Sequence, residues 1–120
     1  MREDMLKSIL SDLNGSSADI EASAVISTDG LMMASLLPAG LEEERIGAMS
    51  AAMLALGHRS AEELGRGELE QVLLKGDHGY VLLTGAGGDA VLAVIAKTSA
   101  KLGLIFLDVR RASEAITRIV

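Results

Sequence analysis

Three apolar runs, Glu68–Lys75, Tyr80–Ala86 and Ala90–Lys97, follow one another with only Gly76-Asp77-His78-Gly79 and Gly87-Gly88-Asp89 between them. A parallel crossover needs about a dozen residues or more, so runs this closely spaced can only be antiparallel neighbours. An earlier pair obeys the same logic. Ile20–Ser27 alternates, with Ile20, Ala22, Ala24 and Ile26 on one side and Glu21, Ser23 and Ser27 on the other. Thr28-Asp29-Gly30 then offers a tight turn into Leu31–Leu36, which makes a hairpin. Leu31-Met32-Met33-Ala34 is apolar on both faces, so the sheet is expected to be covered on both sides.

Helical periodicity fills the intervening chain. In residues 3–13, Met5, Leu6, Ile9, Leu10 and Leu13 form one stripe, and Asn14-Gly15 reads as the stop. After the break at Pro38-Ala39-Gly40, Glu42-Glu43-Glu44 place carboxylates at the start of a long helix, where the dipole favours them. That helix runs to Leu64 and stops at Gly65-Arg66-Gly67. The last helix carries Leu102, Ile105, Val109, Ala112, Ile116 and Ile119 on one stripe, with Glu114 and Arg118 spaced for an ion pair on its wet face. The order is helix, two strands, long helix, three strands, helix. It predicts one α+β domain over 1–120: a five-stranded antiparallel sheet with helices on its faces.

Composition narrows what such a domain can do. With 120 residues and no cysteine, disulfides, thiolate nucleophiles and Cys-ligated metals are excluded, and a reducing, cytoplasmic setting is expected. The formal net charge is −6, no Lys/Arg cluster appears, and the aromatics are only Tyr80 and Phe106. This argues against nucleic acid, which demands basic faces and stacking platforms. Met1–Lys7 mixes charges and lacks an apolar core of signal type, so no secretory signal is expected. The longest apolar runs, such as Ala90–Ala96 and Gly103–Leu107, are far below the ~20 residues of a spanning helix, so no membrane insertion is expected.

The middle helix is the most informative segment. Ile46, Met49, Met53, Leu56 and Leu64 form a stripe of large apolar residues expected to face the sheet. A second stripe holds Ala48, Ala51, Ala52 and Ala55, continuing to Arg59 and Glu62. A surface helix would carry long polar residues there, whereas small ones let another helix approach toward the short end of the 8–10 Å range. Alanine also supplies plain helix propensity, which is the competing explanation. Chemistry is scarce elsewhere. Thr84-Gly85-Ala86-Gly87-Gly88-Asp89 joins two strand-like runs and lacks the GK[ST] ending of a phosphate loop, so it reads as a hairpin turn with positive φ at Gly87 or Gly88. His58 and His78 have no acidic or histidine partner at metal-ligand spacing, although His58 could lie near a helix pair. Glu68 and Glu70 share a strand face but look solvated, and no serine sits in a G-x-S-x-G setting. No catalytic, cofactor or metal residue is assigned, and the chain is expected not to be an enzyme.

Taken in order, Val25–Leu31, Gly67–Leu74, Gly79–Thr84, Gly88–Val94, Leu102-Gly-Leu and the helix through Leu107-Asp-Val-Arg-Arg-Ala resemble the roadblock / dynein light-chain domain family. The resemblance implies a sheet with the long central helix on one face and the two terminal helices on the other. It also implies a homodimer that packs its central helices together and pairs its third strands. Carried onto this chain, the interface residues would be Ala48, Ala51, Ala52, Ala55 and Arg59 with Leu69, Gln71 and Leu73 of the strand. Such pairing would cover an open strand edge. Bacterial and archaeal members resemble regulators of small Ras-like GTPases, so the partners implied are a second copy and such a GTPase. The alternative is a non-catalytic subunit of a dynein-like or trafficking scaffold. A small-molecule sensor or enzyme would need an apolar cavity with convergent polar groups beside the sheet.

Overall fold

The computed structural model describes residues 1–120. Its elements are α1 (Arg2–Ser16), β1 (Ile20–Ser27), β2 (Met32–Leu36), α2 (Glu43–Glu63), β3 (Val72–Gly76), β4 (Gly79–Gly85), β5 (Ala90–Ala96) and α3 (Leu102–Thr117). The five strands form one antiparallel sheet in the order β2-β1-β5-β4-β3. The expected fold class and element order are observed. The tight loops act as anticipated: Gly30 takes φ 91° in the β1–β2 turn, and Gly87 takes φ 75° between β4 and β5.

Each face of the sheet carries its own core. Leu6, Leu10 and Leu13 of α1 and Ile105, Val109, Ala112 and Ile116 of α3 pack against Val25, Leu82, Leu92 and Val94 in a cluster of 16 buried residues. On the other face, α2 covers Ala24, Ile26, Leu83, Val91 and Ala93 in a cluster of 6, to which it contributes Leu54. Alternation along β4 and β5 feeds both layers, as the two-residue side-chain period requires.

Several local expectations are corrected. Helix α1 runs through Asn14-Gly15 to Ser16, because Asn14 is held by a helix-to-sheet bond: buried Ser23 Oγ donates to Asn14 Oδ1 at 2.6 Å. Ser23 is therefore on the covered face of β1 and not on a wet one. A bulge between Ile20 and Ala22 shifts the pairing by one residue. It delivers Ile20 to the α1/α3 core while Ala24 and Ile26 face α2. Strand β3 begins at Val72, not Glu68. The Glu114–Arg118 ion pair is not formed; the side-chain pairs are Lys7–Glu3, Arg45–Glu42 and Arg59–Glu63.

The two sheet edges differ. The β3–β4 ladder pairs Val72–Gly76 with Leu83–Gly79 without interruption. The β1–β2 ladder has a bulge between Val25 and Ile26, and Pro38 lies two residues beyond the end of β2.

Candidate functional site: the outer face of α2 and the β3 edge

The seating of α2 is set by small residues on its inner side. Gly47, Ser50 and Leu54 are the buried positions, and Gly57 lies one turn further on. A side chain at Gly47 would run into the carbonyl oxygen of Gly30, and one at Gly57 would press on the methyls of Leu69 and Val72. The backbone of α2 thus lies directly on the β1–β2 turn and on the entry to β3. A Schellman motif ends the helix, with Gly65 at φ 67°, Gly65 N–H donating to Glu62 O at 3.1 Å and Arg66 N–H to Ala61 O at 2.7 Å.

This reverses part of the expected face assignment. Ile46 and Met53 do pack toward the sheet. Met49, Leu56 and Leu64 do not: they are 50%, 62% and 71% exposed. The contrast of large-inside and small-outside misled because close approach to the sheet itself demands small residues. The spacing Gly47, Ser50, Leu54, Gly57 is a helical stripe, and it was the available signal for the inner face.

The outward side of α2 is consequently apolar along its middle. Ala48, Ala52 and Ala55 are exposed as expected, joined by Met49 and Leu56, while Ala51 is half-buried on the flank. Charges bracket the strip. Arg45 Nη2 lies 4.0 Å from Glu42 Oε2 at the start, and Arg59 Nη2 lies 3.8 Å from Glu63 Oε1 at the end. His58, six positions from Ala52, lies ~120° round the helix from it at ~100° per residue, exposed on the flank beside half-buried Ala51.

Beside the C-terminal half of α2 lies the open edge of β3. Of the strand residues expected at an interface, Leu69 precedes the strand and is half-buried against Gly57. Gln71 is exposed just before β3. Leu73 is 41% exposed and pairs with Leu82, so it lies on the α1/α3 side of the sheet. The structure brings the alanines and Arg59 into one surface but separates Leu69 from Leu73 by a sheet layer. Leu74, 45% exposed and paired with Val81, is the strand residue on the α2 side.

Elsewhere the surface offers little chemistry. No three His, Asp or Glu side chains converge as a metal cluster would. An open groove of about 840 Å³ runs between α3 and residues 66–71, lined by Leu69, Phe106 and Arg110 among others. Two of its hydroxyls are engaged by the fold: Thr84 Oγ1 donates to Glu70 O at 3.1 Å and Ser113 Oγ to Gly85 O at 2.8 Å. No helix is long and apolar enough to cross a membrane.

Comparison with known proteins agrees with this architecture. The model of the Roadblock/LC7 domain matches residues 6–96. Two uncharacterized proteins of Methanocaldococcus jannaschii are each 38% identical over 112 residues, covering 93% of this chain and 96% of theirs. Among solved structures, an MglB in a tetrameric arrangement superposes with a TM-score of 0.89 at 20% identity, covering 98% of this chain and 89% of the other. Myxococcus xanthus MglB gives 0.88, again at 20% identity, over 97% and 87%.

Proposed function

Starting from the fact that this chain belongs to the Roadblock/LC7 domain family, we propose that it is a homodimeric, non-catalytic binding module that regulates a small Ras-like GTPase. The observation that carries the reading is the outer face of α2. Five apolar side chains, Ala48, Met49, Ala52, Ala55 and Leu56, are exposed side by side next to an unpaired strand edge. Contiguous apolar surface of this kind marks association sites, and a free edge invites a second strand. Packing two α2 helices and pairing two β3 strands would cover both features at once. The solved MglB in a tetrameric arrangement supports self-association as a habit of this fold. The paired helices would then present a platform for the GTPase.

Light scattering should give the mass of a dimer, and Ala52→Arg should give a monomer or an aggregate. An Ala52→Arg variant that remains a wild-type dimer overturns the helix interface. Adding the chain to a small Ras-like GTPase from the same organism should change its GTP hydrolysis or nucleotide release. Binding with no change in either rate would make the chain a scaffold subunit and overturn the regulatory reading.

A further inference from the structure

The four lysines of the chain are unevenly placed. Lys7 lies on α1 and pairs with Glu3, whereas Lys75, Lys97 and Lys101 meet at one corner of the sheet. Lys75, near the end of β3, stands opposite Tyr80 with its Nζ 5.9 Å from the ring centroid. Tyr80 pairs in turn with Ala96, the last residue of β5, and Lys97 follows. The turn from Lys97 to Lys101 leads directly into α3, with Ala100 N–H donating to Lys97 O at 3.1 Å. All three lysines are exposed, and none belongs to an ion pair. The carboxylates at this corner are Asp77, beside His78 in the β3–β4 turn, and Asp19, whose carbonyl accepts the Lys97 N–H at 2.8 Å. Next to the lysines, α3 turns two leucines outward. Leu104 is 60% exposed and Leu107 47%, and their spacing of three sets them side by side. The first turn of α3 holds no acidic residue, unlike those of α1 and α2, so the positive end of its dipole adds to the lysines. In a chain of net charge −6 this corner is cationic, with an apolar crest.

We propose that this corner adsorbs to the surface of an anionic lipid bilayer, with Lys75, Lys97 and Lys101 meeting headgroup phosphates and Leu104 and Leu107 entering the interface. The inference goes beyond the function proposed above and does not need it, because the patch is complete within one chain. Lys75 and Tyr80 share the α1/α3 side of the sheet, so adsorption there leaves the outer strip of α2 turned toward the solvent.

Shape and charge favour a bilayer over an acidic protein. The leucines stand on the convex outer surface of a helix and not in a cleft. The neighbouring groove between α3 and residues 66–71 carries Glu68, Glu70 and Glu114 on its walls, which would repel an acidic segment. A bilayer needs no cleft. Peripheral binding draws on buried apolar area together with attraction to anionic lipids, and this corner supplies both side by side. Lysine, a compact charge on a flexible stem, suits a fluid array of phosphates, whereas the fork of arginine suits a fixed carboxylate. No helix long and apolar enough to cross a membrane is required. The chain would lie on the bilayer and not across it.

Vesicle co-sedimentation tests this on the wild-type chain. It should pellet with phosphatidylcholine vesicles that contain phosphatidylglycerol and stay in solution with phosphatidylcholine alone. Raising the salt should release it, because screening weakens exposed charges. Lys75→Glu, Lys97→Glu and Lys101→Glu combined should weaken adsorption by roughly a hundredfold or more, since each basic side chain near the surface contributes about fivefold. Circular dichroism of that variant should match the parent. Lys7→Glu, on α1, should pellet like the wild type. Leu104→Ser with Leu107→Ser should leave a weaker adsorption that a smaller rise in salt abolishes, and unchanged adsorption would overturn the entry of the leucines. A wild-type chain that ignores anionic vesicles at low salt, or binds them without salt dependence, overturns the inference whether or not the variants fold. A triple variant that adsorbs like the parent does the same. Capture on immobilised polyglutamate without pelleting on vesicles would assign the corner to an acidic protein and rule out the bilayer.

Discussion

At the scale of single residues, Gly47 is one of the two glycines whose added Cβ would run into a backbone carbonyl oxygen, Gly79 being the other. The lack of a side chain at Gly47 lets α2 rest on the Gly30 carbonyl, so any Cβ there must push the helix off the β1–β2 turn. Gly47→Ala should therefore destabilise the fold by about 1–3 kcal/mol, as overpacking does, despite alanine's better helix propensity. Urea unfolding measures this, and a variant as stable as the parent would show that the contact is slack. Gly57 faces side-chain methyls of Leu69 and Val72 instead of backbone, and those can move aside, so Gly57→Ala should cost less. This difference was not legible in the sequence. Both glycines sit in one helical run, and only the docking of the turn tells them apart.

At the scale of elements, strand and helix order was readable because loop lengths and periodicity dictate it, and the short links after β3 and β4 leave only antiparallel pairing. The inner face of α2 was harder to read. The helix has apolar residues on most of its circumference, since one side meets the sheet and the other is bare, and pattern alone does not rank two apolar faces. The length of β3 was overread because Glu68–Gln71 runs on from the glycine stop with no break before the apolar residues, but Leu69 is drawn across to Gly57 and the chain joins the sheet only at Val72. The exposed apolar face of α2 was legible in Ala48, Ala52 and Ala55, and not in Met49 and Leu56, which were expected to face the sheet. Edge strands report their pairing through their amides. If β3 pairs with its copy, the outward N–H groups of Val72–Gly76 should exchange slowly at high protein concentration and quickly on dilution, by hydrogen-exchange mass spectrometry. Fast exchange at every concentration would place the contact on α2 alone.

At the scale of the molecule, the two layers are unequal. Sixteen buried residues join α1 and α3 to the sheet, and six, Leu54 of the helix among them, join α2 to it. Cover for the outer face of α2 should then add visibly to the stability of the whole fold. A partner that binds only the folded state stabilises it by mass action, so the melting temperature should climb with protein concentration in scanning calorimetry. A melting temperature that stays constant over a hundredfold range would mean that the chain unfolds as a monomer. The unequal edges carry a last consequence. An uninterrupted five-residue template borders one end of the sheet, whereas a kinked ladder with a proline close behind borders the other, and short, bulged or proline-flanked borders discourage further pairing. Growth by strand addition has an entrance and a dead end. Two chains meeting at their entrances would leave only dead ends outward, so such a ribbon would terminate at ten strands and would not run on into a fibre.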